Sequence, residues 1–211
     1  VYLKYIYDYV TGLDPFHPVL TCSRAADQYI DCADAFTVHP YINPITSGGQ
    51  RILSTPIHQV RDFLRDVTKF NRNDKVPGFT GQFFSYKTNN VNADYPTWDE
   101  MECMSWSAIA NGSRFHYPYA YHDLGDRPQV YEGYRYFNTS IKALEKQLLS
   151  NRKFEVKADD PENKIDTLLV EGDGVTLLIV VNLKNAPIST NVSADPLKKF
   201  KQMYEFRSDK V

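Results

Sequence analysis

The sequence predicts an α/β fold, with βα units around a parallel sheet over residues 1–151 and a small antiparallel β domain over residues 152–211. Three observations carry this prediction. Up to about residue 150, short apolar runs alternate with segments of helical period, the signature of βα units. Beyond Asn151 the texture changes to FEVKADD, KIDTLLVEGDG, VTLLIVVNL and KQMYEFRS, which read as strands divided by Pro, Asn, Asp and Gly turns. At 211 residues, 42% hydrophobic and 14% aromatic, the chain has the material for a sizeable core.

In chain order, VYLKYIYDYV opens as a helix with no initiator Met before it, so the chain reads as a processed product or a part of a longer one. The predicted strands of the first region are VLTCS (19–23), AFTVHPY (35–41), GFTGQFF (78–84) and SRFHYPYAY (113–121). Between the first two lies a short helical segment, SRAADQYI. Between the second and third, RILSTPIHQVRDFLRDVTKF sets Leu53, Ile57, Val60, Leu64 and Val67 on one helical face, with Arg and Asp opposite. Thr97 and Glu100 form a capping box after Pro96, predicting a helix from near Trp98 to the Asn111-Gly112 stop. After the fourth strand, Tyr131, Tyr134, Phe137, Ile141, Leu144 and Leu148 recur three or four apart and predict one long helix.

Several function classes are excluded by pattern. The net charge of −2 comes from interspersed charges, which leaves no basic stripe for nucleic acid. The longest apolar run, VTLLIVVNL, is too short to span a membrane. Cys22, Cys32 and Cys103 lack the paired spacing of a zinc site, the five histidines show no close pairing, and no metal or cofactor is expected. No phosphate loop or nucleophile elbow occurs. Cys22 and Cys32 flank SRAADQYI and could form a disulfide in an oxidising compartment, or stand as two small buried thiols. Three acceptor triplets for N-glycosylation, at Asn111, Asn138 and Asn191, point with that pair to an extracellular or secretory location.

Four cues follow one another at plausible intervals: Asp14-Pro15 with His17-Pro18 before a strand; a strand ending His39-Pro40-Tyr41; a strand carrying Gln82; and Pro96-Thr97 with Glu100 opening a helix that ends Ala108-Ile109-Ala110-Asn111-Gly112. In this order they resemble the later half of a (β/α)8 (TIM) barrel of glycoside hydrolase type. The resemblance covers nearly the whole chain. It implies a partial barrel of about strands five to eight, residues 1–151, and a C-terminal β-sandwich domain, residues 152–211. The first four βα units would then come from the same polypeptide, from another chain or from a second copy, because an open barrel half leaves two strand edges unpaired.

The resemblance further implies a carbohydrate partner and a site at the C-terminal ends of the strands. The substrate-binding candidates there are His39, Tyr41, Gln82, Tyr119, Tyr121 and Asp123, with Tyr86, Trp98 and Tyr117 as further rings able to stack on sugar faces. Glycoside hydrolysis needs two carboxyl groups across the scissile bond, which in this clan are glutamates at the ends of strands four and seven. Strand four lies upstream of Val1, and strand seven bears Gln82, an amide that cannot ionise. No Glu or Asp occurs between Lys75 and Asp94, so no small shift of register supplies one. Asp94, Asp99, Glu100, Glu102, Asp123 and Asp126 are the remaining acids, and three of these begin a helix, where negative charge favours the helix dipole. The expected function is therefore part of a secreted glycoside hydrolase-like protein that acts on or binds polysaccharide, with its catalytic residues absent or outside this chain. The alternative is a noncatalytic extracellular structural or carbohydrate-binding scaffold on the same barrel.

Overall fold

The computed structural model describes residues 2–70, 74–86, 92–120 and 127–206. Helix α1 (Tyr2–Leu13) leads to β1 (Leu20–Cys22), a short α2 (Ala26–Tyr29) with a 3-10 turn (Ile30–Cys32), and β2 (Ala35–Val38). A hairpin of β3 (Pro44–Ser47) and β4 (Gln50–Leu53) precedes α3 (Gln59–Phe70), and then come β5 (Val76–Gln82), α4 (Trp98–Ala110), β6 (Phe115–Tyr119) and α5 (Pro128–Ala143). The chain continues through α6 (Glu145–Leu148), β7 (Lys153–Phe154), β8 (Lys157–Ala158), β9 (Ile165–Gly172), β10 (Val175–Asn182) and β11 (Val192–Ser193).

Strands β1, β2, β5 and β6 form one parallel sheet in that order, so each crossover adds the next strand on the same side. Side chains alternate across this sheet. Phe36, Val38, Phe79 and Phe83 point to the helices and join Val60, Leu64 and Val67 of α3, Met101, Met104 and Ala108 of α4, and Val130 of α5 in one core. The opposite face carries Thr37, Thr80 and Gln82, all buried, with the two threonine hydroxyls bonded at 2.7 Å. Phe115 lies over Gly78 on that face, where a Cβ would come within 2.1 Å of the ring. Aromatic rings from the sheet's own strands thus roof a surface that would otherwise show backbone and hydroxyls.

Beyond residue 152 the strands are antiparallel: β10, β9 and β7 form one sheet, and β8 pairs with β11. The β9–β10 turn holds Asp173 and Gly174 at φ 52° and 76°, the left-handed pair that a tight hairpin requires. Ile179, Val181 and Leu183 pack on Cys103, Trp106 and Ile109 of α4. Beside this contact Arg61 and Asp166, each 3% exposed, pair at 3.2 Å, and Ser107 donates to Asp166 at 2.6 Å. Helix α1 has no buried residue, and Tyr2, Tyr5, Tyr9 and Leu13 stand exposed at helical spacing. It is fixed by Tyr7, whose hydroxyl donates to Asp34 at 2.7 Å, a bond that raises the phenol's pKa to about 12.

Four expectations need correction. The helix over 51–70 is shorter, because Gln50–Leu53 is strand and Pro56 precedes the first turn. Gly48 and Gly49, both at positive φ, close the β3–β4 hairpin, and Leu53 belongs to it. The long final helix divides at Leu144 into α5 and α6. KQMYEFRS forms no strand over its described residues. All three cysteines are free thiols. Cys22 pairs in register with Thr37, at the C-terminal end of the sheet, whereas Cys32 enters β2 from the other end. That separates them by roughly 10 Å or more along the strands, beyond a disulfide's reach of about 7 Å between Cα atoms.

Candidate functional site

Where β2, β5 and β6 end, their last residues and the loops that follow bring a group of rings together. Tyr41 meets His39 at 5.3 Å between ring centres, Phe84 edge-on at 5.0 Å and Tyr119 in a stacked arrangement at 6.5 Å. Phe84 in turn meets Tyr119 at 5.6 Å and Tyr86 at 4.9 Å, both edge-on. Edge-to-face contacts at these distances hold rings in fixed planes. Phe84 is the buried centre of the group, while His39, Tyr86 and Tyr119 are exposed, Tyr119 by 53%. The result is a shelf of aromatic surface with polar tips. Tyr41 is partly buried in it, and desolvation, with smaller contributions from Cys22 and the neighbouring tyrosines, raises its phenol well above the ordinary value of 10.0.

Gln82 lies beneath the shelf and is 1% exposed. Its Oε1 accepts from the Asn43 backbone N–H at 3.0 Å, and its Nε2 donates to the Phe84 carbonyl at 3.2 Å. A neutral amide offers one acceptor and one donor on the same group, which is what these two backbone partners require. A carboxylate would meet the carbonyl of Phe84 with no proton to give. Here lies a physical reason for an amide at this strand end.

Beside Gln82 is a cavity of about 180 Å³ lined by Asn43, Ser54, Gln82, Tyr86, Ala93 and Asp94 among others. Asn43 stands at φ 44°, and its buried Oδ1 accepts no hydrogen bond from the described residues. Asp94 is held through Oδ2 by the Thr46 hydroxyl and by Arg51 at 3.6 Å. Arg51 also grips Glu100 with two bonds of 3.0 and 2.7 Å and donates to the Tyr95 carbonyl, which ties the β3–β4 hairpin to α4. Glu100 completes the capping box with Thr97.

Of the sequence-derived candidates, His39, Tyr41 and Tyr119 meet at the strand ends, and Gln82 supports them from below. Tyr121 and Asp123 lie outside the described residues. Asp99 and Glu102 line a different cavity of about 500 Å³ between α4 and β10, and a third of about 460 Å³ lies between β6, α5, α6 and β9. Both are larger than the cavity beside Gln82, yet neither reaches the strand ends. Among the acceptor triplets, Asn111 uses its Nδ2 to donate to the Ser107 carbonyl, Asn138 lies within α5, and Asn191 is exposed just before β11. No cluster of three His, Cys, Asp or Glu able to hold a metal occurs among the described residues, and no described helix is long and apolar enough to cross a membrane.

Asn43 and its cavity escaped the sequence reading. The available signal was Asn43-Pro44, a pair that favours turns, with asparagine the commonest non-glycine residue in the left-handed region. Comparison of the chain with protein-family models, with curated proteins and with solved structures gives no match, so its function is argued from this site alone.

Proposed function

We propose that the chain is one side of a (β/α)8 barrel of glycoside hydrolase type, belonging to a secreted protein, and that it binds polysaccharide on the aromatic shelf at its strand ends. The observation that carries this reading is the shelf itself: Tyr41, Phe84, Tyr86 and Tyr119 converge at the C-terminal ends of adjacent parallel strands. Rings of this kind stack on the apolar faces of sugars while their hydroxyls bond at the rim. The strand order, in which each crossover advances the sheet with no reversal, supports the barrel over a doubly wound sheet. The exposed face of α1 and the outer edges of β1 and β6, which no described strand pairs, support a further βα partner that closes the cylinder.

Within this reading the chain binds sugar without supplying the strand-seven nucleophile. Gln82 is engaged on both sides by backbone, which favours the noncatalytic role for this half. The test is retention of the full-length protein on insoluble polysaccharides, cellulose, xylan and chitin among them, for wild type and Tyr119→Ala. Tyr119 is exposed, so its truncation leaves folding intact; a loss of retention of tenfold or more is expected. Equal retention of both proteins on every polymer, or none by wild type, overturns the reading.

A further inference from the structure

Strand β10 is paired on one side only. Its register with β9 runs unbroken from Val175 to Asn182, and no described strand pairs its other edge. The two-residue turn at Asp173-Gly174 makes Val175 and Gly172 a hydrogen-bonded pair, and the Leu183 N–H on the Lys164 carbonyl at 2.8 Å keeps the same alternation at the far end. The N–H and C=O groups of Thr176, Leu178, Val180 and Asn182 therefore point outward. The Cys103 thiol donates to the Asn182 carbonyl at 3.3 Å, so that among the described residues Thr176, Leu178 and Val180 are the open rungs. Nothing in the strand blunts this edge: it contains no Pro, no charged residue and no bulge, and Val175 and Val180 are exposed. An edge of this kind is a template for another strand. We propose that it docks an extended basic peptide of a partner protein, which adds a strand to the β10–β9–β7 sheet and lies in the groove between β10 and α4. This surface is separate from the strand-end shelf and goes beyond the carbohydrate reading.

The groove fixes the partner's length and charge. Its volume is about 500 Å³, and it follows β10 from Leu177 to Asn182, roughly 20 Å of strand. One face of α4 forms its wall, where Asp99, Glu102, Cys103 and Trp106 recur at helical spacing, and Glu205 and Phe206 stand beside them. Side chains of an added strand alternate between this wall and the opposite side. Those turned to α4 meet the Trp106 ring and the carboxylates together, which selects apolar groups mixed with cations. Asp99 and Glu205 are exposed, and no described Lys or Arg lines the groove. The same charge disfavours a second copy as the occupant. Pairing β10 with the β10 of another molecule would bring both sets of carboxylates to one seam, where like charges repel. An acidic peptide is refused on the same ground.

The experiment titrates the full-length protein with two fluorescein-labelled octapeptides, one of alternating Lys and Val and one of alternating Glu and Val. The Lys-Val peptide should bind about tenfold more tightly or better. Val180→Pro removes one outward N–H and leaves the ladder to β9 intact, and should weaken the Lys-Val peptide by about tenfold. Amide hydrogen exchange in the wild type, followed by NMR, separates strand addition from mere attraction of charge. The N–H groups of Thr176, Leu178 and Val180 should exchange freely in the unbound protein and slow about tenfold or more when the Lys-Val peptide is bound. This readout decides even where Val180→Pro fails to fold. No binding of the Lys-Val peptide, equal binding of the two peptides, binding untouched by a folded Val180→Pro, or exchange unchanged by the peptide overturns the proposal. Slow exchange of these three amides in the unbound full-length protein overturns it likewise, because the edge is then already covered by a second copy or by another part of the polypeptide.

Discussion

Gln82 and His116 show how far single side chains set the behaviour of this sheet. Replacing Gln82 by Leu leaves the Asn43 N–H and the Phe84 carbonyl without partners in the interior. Each unmet group costs about 1–3 kcal/mol, so urea unfolding should show a loss of at least that size, and a loss below 0.5 kcal/mol, roughly half an ordinary hydrogen bond, would contradict the bracing role. His116 presents the opposite case. Its ring packs among Phe79, Phe83, Tyr134 and Phe137, and neither nitrogen has a partner among the described residues. Burial pulls its pKa from 6.5 to about 3. The unfolded chain binds a proton below pH 6.5 where the folded one does not, so the stability owed to a neutral ring is complete above pH 6.5. It drains away as pH falls from 6.5 towards 3. His116→Phe should flatten the plot of unfolding midpoint against pH between 6.5 and 4 relative to wild type, and parallel curves would refute the assignment.

At the scale of elements, backbone context sorts the three glycan acceptors. Asn111 has its amide nitrogen bonded to the helix it terminates, and Asn138 sits in a helical turn, whereas Asn191 is exposed on a strand approach. A protein expressed through a secretory pathway should therefore lose one glycan's mass in the Asn191→Gln variant, by intact mass spectrometry, while Asn111→Gln leaves the mass of attached sugar unchanged. The elements with strong local signals were legible in the sequence. The Thr97–Glu100 capping box and the Asn111-Gly112 stop located α4, and the apolar runs located the four parallel strands. The β3–β4 hairpin was not, because Leu53 and Ile57 extend the helical spacing of α3 backwards by accident; the Gly48-Gly49 pair carried the correct signal. At the site, the rings were legible as strand-end residues. Asn43 was not, since its importance comes from a partner 39 positions away.

For the molecule as a whole, the buried pair Arg61–Asp166 joins α3 of the α/β part to β9 of the antiparallel part, with Ser107 of α4 as a third member. Asp166→Ala leaves a guanidinium in the interior with, among the described residues, Asn163 and the more distant Asp62 nearby, a change worth about 3–5 kcal/mol in buried pairs. Circular dichroism and tryptophan fluorescence should report this loss at a common midpoint, since Trp106 packs between the two parts. Separate midpoints would show that the two regions unfold independently. The grip of Arg51 on Glu100, Asp94 and the Tyr95 carbonyl has its own outcome for recognition. A hairpin tied in this way is biased towards its docked position before a molecule arrives, so the rim is largely preformed. Little conformational entropy then remains to be surrendered on association, and guests of the wrong outline are refused instead of being moulded around.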